Sequence, residues 1–532
     1  MTYTPTPHIT QNWALAKPAA RGQGGMVVSQ VKVAAEAGAA MLAAGGSAAD
    51  AAVATAFCLA AIEPWNCGLG GIGFAQVAGG ASPGETFDFG PVSPASLDPS
   101  AYPMTGRMKL DLFPWPEVVE DRNVHGPMSA LIPSAVAGYA LLHSRYGKLP
   151  WKDVLAPAVA LARRGLPQDW YTTLKVASSA SVLRLYPESA RIYLPNGLPP
   201  VAPYQGNTGF FTQGNLPATL ERLQHAGWQD FYKGDIAAAV AADMKELGGF
   251  VTAADLAACE ARVLPAVRAP WRGRTLLLSN GLTATPTYRD VMRRMEGADH
   301  AGSPSAAWYA QLAESMKAAY ADRLAGLGEG EPQARGASGA DAAADGCTTH
   351  LTVCDKDGMM VAMTTTLLSS MGSRLVLPKS GVLMNNGVMW FDPRPGTPNA
   401  IAPRKRPLTN MSPIIALGAD GQPEIACGAS GGRRIMASVF QLLSFVADFG
   451  MDPEVAAHHP RIDVSGPEHV SADRNLPEAV LAALRALGPL EEVQHGVMPI
   501  NFACPNLIQR SAAGDVVGIA DAASPWSGAV AA

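Results

Sequence analysis

The residues from Leu324 to Gly346 read LAGLGEGEPQARGASGADAAADG, and the apolar pattern of the chain changes period across them. A stretch so poor in large apolar residues cannot form a core, so it predicts a mobile loop or a linker. Ahead of it the chain reads as helices. Gln30 to Ala44 is amphipathic, Gly45 and Gly46 end that helix, and Ser47 caps the next one with Asp50 three residues on. Behind it, His350 to Cys354 alternates, Asp355 to Gly358 forms a turn, and Met359 to Thr366 is β-branched and alternating. This is a hairpin. It places Thr348 opposite the run Thr364 to Thr366, and a one-residue bulge would shift which threonine lies across from it. Further on, Pro423 to Ser430 reads as a strand that stops at Gly431 and Gly432 and passes into an apolar-periodic helix, Arg433 to Phe449. A glycine pair at a helix start turns backbone N–H groups towards an incoming anion.

At 532 residues and 48% hydrophobic composition the chain needs neither staple nor metal for stability. A net charge of −5 without runs of like charge excludes a phosphate-binding stripe or a polybasic membrane patch, so neither nucleic acid nor membrane is expected as a partner. The most apolar stretch, Ala48 to Ile62, contains Asp50 and is too short for a bilayer, which needs about twenty residues; it reads as a core helix. Met1 to Ala20 lacks the regions of a signal peptide, and the seven cysteines (Cys58, Cys67, Cys259, Cys347, Cys354, Cys427 and Cys504) are odd in number without a CxxC pair. A cytoplasmic chain with reduced thiols and no metal site is expected.

A threonine after a loop is ordinary at a strand start. It becomes chemically useful if cleavage before it frees its α-amine, whose pKa of about 7.7–8.0 suits it to take the hydroxyl proton.

The segment CTTHLTVCDKDG, from Cys347 to Gly358, resembles the cleavage-site segment of the γ-glutamyltransferase superfamily of N-terminal-nucleophile (Ntn) hydrolases. Other blocks follow that family in order: Gly25 to Gln30, Gly45 to Val53, Gly68 to Phe74, Pro133 to Gly138, Tyr320 to Arg323, Gly381 to Asn386, Lys405 to Leu408 and Gly428 to Ile435. The resemblance covers almost the whole chain. It implies an α+β fold, the four-layer αββα sandwich of two antiparallel sheets covered by helices. It also implies self-cleavage between Cys347 and Thr348, giving a heterodimer of a large chain, 1–347, and a small chain, 348–532. By family position Thr348 is the nucleophile, Thr366 orients it, the Gly431 and Gly432 N–H groups hold the oxyanion, and Ser430 borders the substrate; no cofactor is required.

Rival readings attach to some of these residues. Gly68 to Gly73 superficially resembles a dinucleotide loop, but it follows Glu63-Pro64 rather than a clear strand, and close packing explains its glycines better. Cys347 is itself a possible nucleophile. His350 reads as structural, and His458 and His459 as a helix end before Pro460.

The substrate pocket departs from the family. An arginine in a motif resembling DFRExAP usually clamps the glutamate carboxylate, and here Gly90 stands in its place. Leu368, Gly387 and Trp390 replace groups that hold the α-amine, while Thr409 and Asn410 stand where paired serines help bind the carboxylate. The segment Phe391 to Lys405 is short, as if a lid were missing, which predicts an open site. Arg374 and Arg433 are candidate anchors for an acid group. The reading is an Ntn amidohydrolase acting with water on a small or acyl-substituted amide lacking the α-amino group; cephalosporin acylases and oxamate amidohydrolase are superfamily members with rebuilt pockets. The alternatives are a γ-glutamyl hydrolase with a clamp rebuilt from Arg374, Thr409 and Asn410, and an unprocessed binding protein.

Overall fold

Alternation after the break produces strands, and they lie inside one of two antiparallel seven-stranded sheets. The computed structural model describes residues 15–110, 113–326, 328–329, 346–466 and 470–532. Most of the stretch read as a mobile loop, 327 and 330–345, lies outside the described residues, as does 1–14 of the amino-terminal segment.

In the first sheet Gly346–Asp355 lies between Gly25–Ser29 and Met360–Ser369, and Ile72–Gly79 and Ser82–Phe89 follow beyond. Asp355 closes the hairpin by accepting from the Asp357 and Met359 N–H groups at 3.0 Å each, and Gly358 turns with φ of 83°. In the second sheet Pro423–Ser430 is central, between Ile414–Leu417 and Cys504–Arg510.

Three apolar cores define four layers. Val28, Met360, Ala426 and Ile508 fill the space between the sheets. Lys32–Ala43, Ala48–Ile62 and Ala135–Tyr146 pack on the outer face of the first sheet, and Thr285–Arg294 and Ile435–Ala447 on that of the second. The expected αββα sandwich is what the chain forms. Ala48–Ile62 is buried along its whole length, since alanine at eight of its positions lets neighbouring helices approach closely. The Ser47 to Asp50 capping box is present: the Asp50 carboxylate accepts the Ser47 N–H at 2.8 Å and also the Lys148 N–H at 2.8 Å. Among the described residues no helix is long and apolar enough to cross a membrane.

Gly70, Gly71 and Gly73 are packing glycines, as expected. A Cβ at Gly70 would stand 2.2 Å from the Leu383 carbonyl oxygen, and one at Gly73 would stand 2.4 Å from that of Thr364. The helix expected from Arg433 starts as a 3₁₀ turn, Gly432–Arg434, and becomes α-helical at Ile435.

Candidate active site

Thr348 sits where the ladder slips. Cys347 pairs with Leu368 and Thr349 with Thr365, so Thr348 faces Thr366 and Leu367 together, with the extra residue on the far strand. The consequence is a fully used hydroxyl. Thr366 accepts from the Thr348 hydroxyl at 3.2 Å and from the Leu368 N–H at 2.8 Å, and donates its one proton to the Cys347 carbonyl at 2.7 Å. One donor and two acceptor positions are all a hydroxyl has, so its orientation is fixed. Its proton also polarises the carbonyl that precedes Thr348. The backbone beyond is strained to hold this: Leu368, Met371 and Arg374 have φ of 88°, 60° and 57°, a region that costs a non-glycine residue about 1–3 kcal/mol.

The second sheet delivers the glycine pair. Gly432–Arg434 packs against the strand carrying Thr348, and the Gln30 amide, hydrogen-bonded to the Ser430 hydroxyl, ties the two sheets at this point. Gly431 has φ of 139°, and a Cβ there would meet Ala503 Cα at 2.7 Å; Gly432 has φ of 60°. Both requirements exclude any other residue at 431. His350 is fully buried, its imidazole kept neutral by a pKa pulled down to about 3 by burial, with Nδ1 on Thr364 Oγ1 at 2.8 Å. It packs on Gly428, as a structural histidine would.

The residues singled out for the pocket divide into two groups. Leu368, Trp390, Met389 and Met411 share one apolar cluster with Phe74 and Phe113 beside Thr348. Leu368 and Trp390 are each 3% exposed, so the wall is not open as the short segment after Phe391 suggests. The cover comes from elsewhere: the hairpin Met104–Leu110 and Pro114–Val118 lays Phe113 and Trp115 on this cluster. Gly90, by contrast, lines a separate cavity of about 530 Å³ with Arg262, Arg404 and Arg406. A Cβ at Gly90 would stand 2.5 Å from Phe74 Cζ, so the ring occupies the path an arginine would need.

The arginines and the Thr409–Asn410 pair are held by the protein. Arg374 Nη1 donates to Ser369 Oγ at 2.7 Å and to the Gly372 carbonyl at 2.8 Å, bracing the strained turn. Arg433 is buried, not solvated. Thr409 spends its hydroxyl proton on the Leu282 carbonyl at 2.9 Å. Asn410 accepts from Arg323 Nη2 at 2.8 Å, which leaves its Nδ2 without an acceptor among the described residues. Arg323, its pKa pulled down to about 10 by burial, therefore sets which face of the Asn410 amide is presented. Local pattern did not single out Arg323 for this role; it stood only within a family block.

Glu63 was also missed. It is 1% exposed, accepts from Asn66 Nδ2 at 2.6 Å, and has its carboxyl pushed up to about 7, chiefly by burial. The available signal was a lone acid ending an apolar helix. Because the folded value exceeds the ordinary one, the folded chain keeps a proton that the unfolded chain releases. Stability from this group is full below about 4.5 and is lost as pH climbs through about 7. The shift corresponds to a contribution of ~3 kcal/mol. The melting temperature of wild type is expected to fall between about pH 5 and pH 8 more steeply than that of Glu63→Gln; parallel curves would contradict it.

A further cluster brings ligand atoms of His495, Cys504 and Asp521 within 4.8 Å of one another. Asp521 is already paired with Arg461 at 2.6 Å, and burial holds the Cys504 thiol protonated, which is the chemistry of a buried ion pair.

Comparison with known proteins gives a consistent picture. The family model described as gamma-glutamyltranspeptidase matches residues 34–336 and 329–530. The chain is 30% identical over 513 residues to the glutathione hydrolase proenzyme of Escherichia coli (strain K12), covering 88% of this chain and 86% of that one. It is also 30% identical over 521 residues to the acylase ACY 1 proenzyme of Pseudomonas sp. (strain SE83), covering 91% and 90%. The crystal structure of cephalosporin acylase from Bacillus halodurans superposes with a TM-score of 0.85 at 22% identity, over 100% of this chain and 99% of that one.

Proposed function

Because the chain belongs to the gamma-glutamyltranspeptidase family, we propose that it is a self-processed Ntn amidohydrolase whose Thr348 attacks the carbonyl of a small acyl amide. The observation that carries this reading is the Thr366 hydroxyl, which accepts from Thr348 and donates to the carbonyl of Cys347.

In self-cleavage the Thr348 oxygen adds to the Cys347 carbonyl carbon and the C–N bond breaks. The nitrogen takes the hydroxyl proton and becomes the free α-amine, and water hydrolyses the resulting ester to a Cys347 carboxylate. The products are a large chain, 1–347, and a small chain, 348–532, that stay together as a heterodimer. In turnover the α-amine takes the hydroxyl proton, the oxygen attacks the substrate amide, and the proton passes to the departing amine; water then releases the acid. The Gly431 and Gly432 N–H groups hold the oxyanion, a contribution of about 2.7–4 kcal/mol per donor.

The acylase among the relatives and the apolar wall at Leu368 and Trp390 support an acyl group without the glutamate α-amine, because burying an unmatched ammonium there is costly. Hydrolysis, not transfer, is the proposed outcome. The rebuilt γ-glutamyl clamp has less support, since Thr409 and Arg374 Nη1 are committed to protein acceptors. Seven cysteines without a disulfide among the described residues support a cytoplasmic location.

Intact mass and N-terminal sequencing test the reading. A small chain beginning Thr-Thr-His-Leu is expected; one beginning at Cys347 would move the nucleophile, and an uncut chain would favour a non-catalytic binding protein.

A further inference from the structure

The cluster beside Leu368 contains more unpaired donors than a finished core tolerates. Trp390 Nε1 and Trp115 Nε1 are both buried without an acceptor among the described residues, as is Nδ2 of Asn410, next in sequence to Met411 of the same cluster. Buried N–H groups are nearly always paired, since an unmade bond forfeits the donor's hydration. The two indole donors, in one cluster beside Thr348, mark a place for an acceptor that arrives with a ligand.

The chemistry of that ligand follows from what surrounds it. Phe113 and Trp115 stack with centroids 6.0 Å apart and planes 16° from parallel, and they belong to a two-stranded hairpin outside both large sheets. The Arg394 guanidinium stands 5.8 Å over the Trp115 ring and is itself paired with Asp392 at 2.7 Å. With Arg394 neutralised and Arg374 bracing its turn, the acceptor that fits is an uncharged oxygen.

We propose that this cluster is the acyl subsite. The Phe113 and Trp115 pair roofs it, and it takes an uncharged acyl group made of an aromatic body and an ether or carbonyl oxygen, to which the indole N–H groups of Trp390 and Trp115 donate. This assignment rests on the amidohydrolase reading above.

Four p-nitroanilides with one leaving group test it: phenoxyacetyl, phenylacetyl, glutaryl and γ-glutamyl. With the full chain, phenoxyacetyl is expected to give the highest kcat/KM, about five- to tenfold above phenylacetyl, the size of one neutral hydrogen bond. Trp390→Phe and Trp115→Phe keep a ring and remove the donor, so each should pull the phenoxyacetyl to phenylacetyl ratio towards one. Self-cleavage followed by mass reports that each variant has folded, and Trp115→Phe, on the hairpin, keeps the test open should Trp390→Phe misfold. Equal rates for the two aryl substrates in wild type, or a preference for glutaryl or γ-glutamyl, would overturn the subsite and leave the amidohydrolase standing. A cleaved chain that turns over none of the four would overturn the subsite alone, and an uncut chain that turns over none would overturn both.

Discussion

Thr348→Ala is expected to remain a single 55.3 kDa chain with no amide turnover, while Thr348→Ser still yields two chains. The methyl group of alanine leaves the strand and its bulge as they are, because Thr349 to Cys354 keep their partners on Met360–Ser369. What disappears is the hydroxyl that donates to Thr366, whose own proton lies on the Cys347 carbonyl. Removing a nucleophile of this kind costs on the order of 10⁴-fold or more. Mass spectrometry of fresh and aged protein reads the outcome, with the melting temperature confirming that the variant is folded. Continued cutting before residue 348 in Thr348→Ala would exclude threonine as the nucleophile.

Thr366→Val should slow self-cleavage by about 10²–10³-fold, the cost of removing one positioned donor from a developing oxyanion. Valine matches the shape, so packing is kept, but the Cys347 carbonyl loses its donor and the Leu368 N–H its acceptor. Thr366→Ser, which keeps the hydroxyl, should cut at close to the wild-type rate. A time course of intact mass after expression separates the three proteins. If Thr366→Val cuts as fast as wild type, the hydroxyl holds the turn at Leu368 and nothing more.

Much of the fold was legible because it is local. The Ser47 to Asp50 capping box, the Asp355 to Gly358 turn and the glycines Gly70, Gly71 and Gly73 each depend on residues a few positions apart or on backbone contact that admits no Cβ. The open site was misread for the same reason. The shortness of the segment after Phe391 is a local fact, whereas its replacement by Phe113 and Trp115 depends on a hairpin nearly three hundred residues earlier. Likewise Arg374 was singled out as an anchor for an acid group, and that its Nη1 also bonds Ser369 and Gly372 depends on the strained turn it closes.

Taken alone, the sequence determined that a strand begins near Thr348, that its partner lies just beyond a tight turn, and that a glycine pair ends a second strand before a helix. Side-chain period and turn chemistry carry that information within a dozen residues. Only the tertiary structure decided that the slip in register sets Thr366 against Thr348, that two sheets bring Ser430 and its glycines to the same place, and that Arg323 turns the Asn410 amide. Those arrangements depend on packing and hydrogen bonds between residues far apart in the chain, and no local period encodes them.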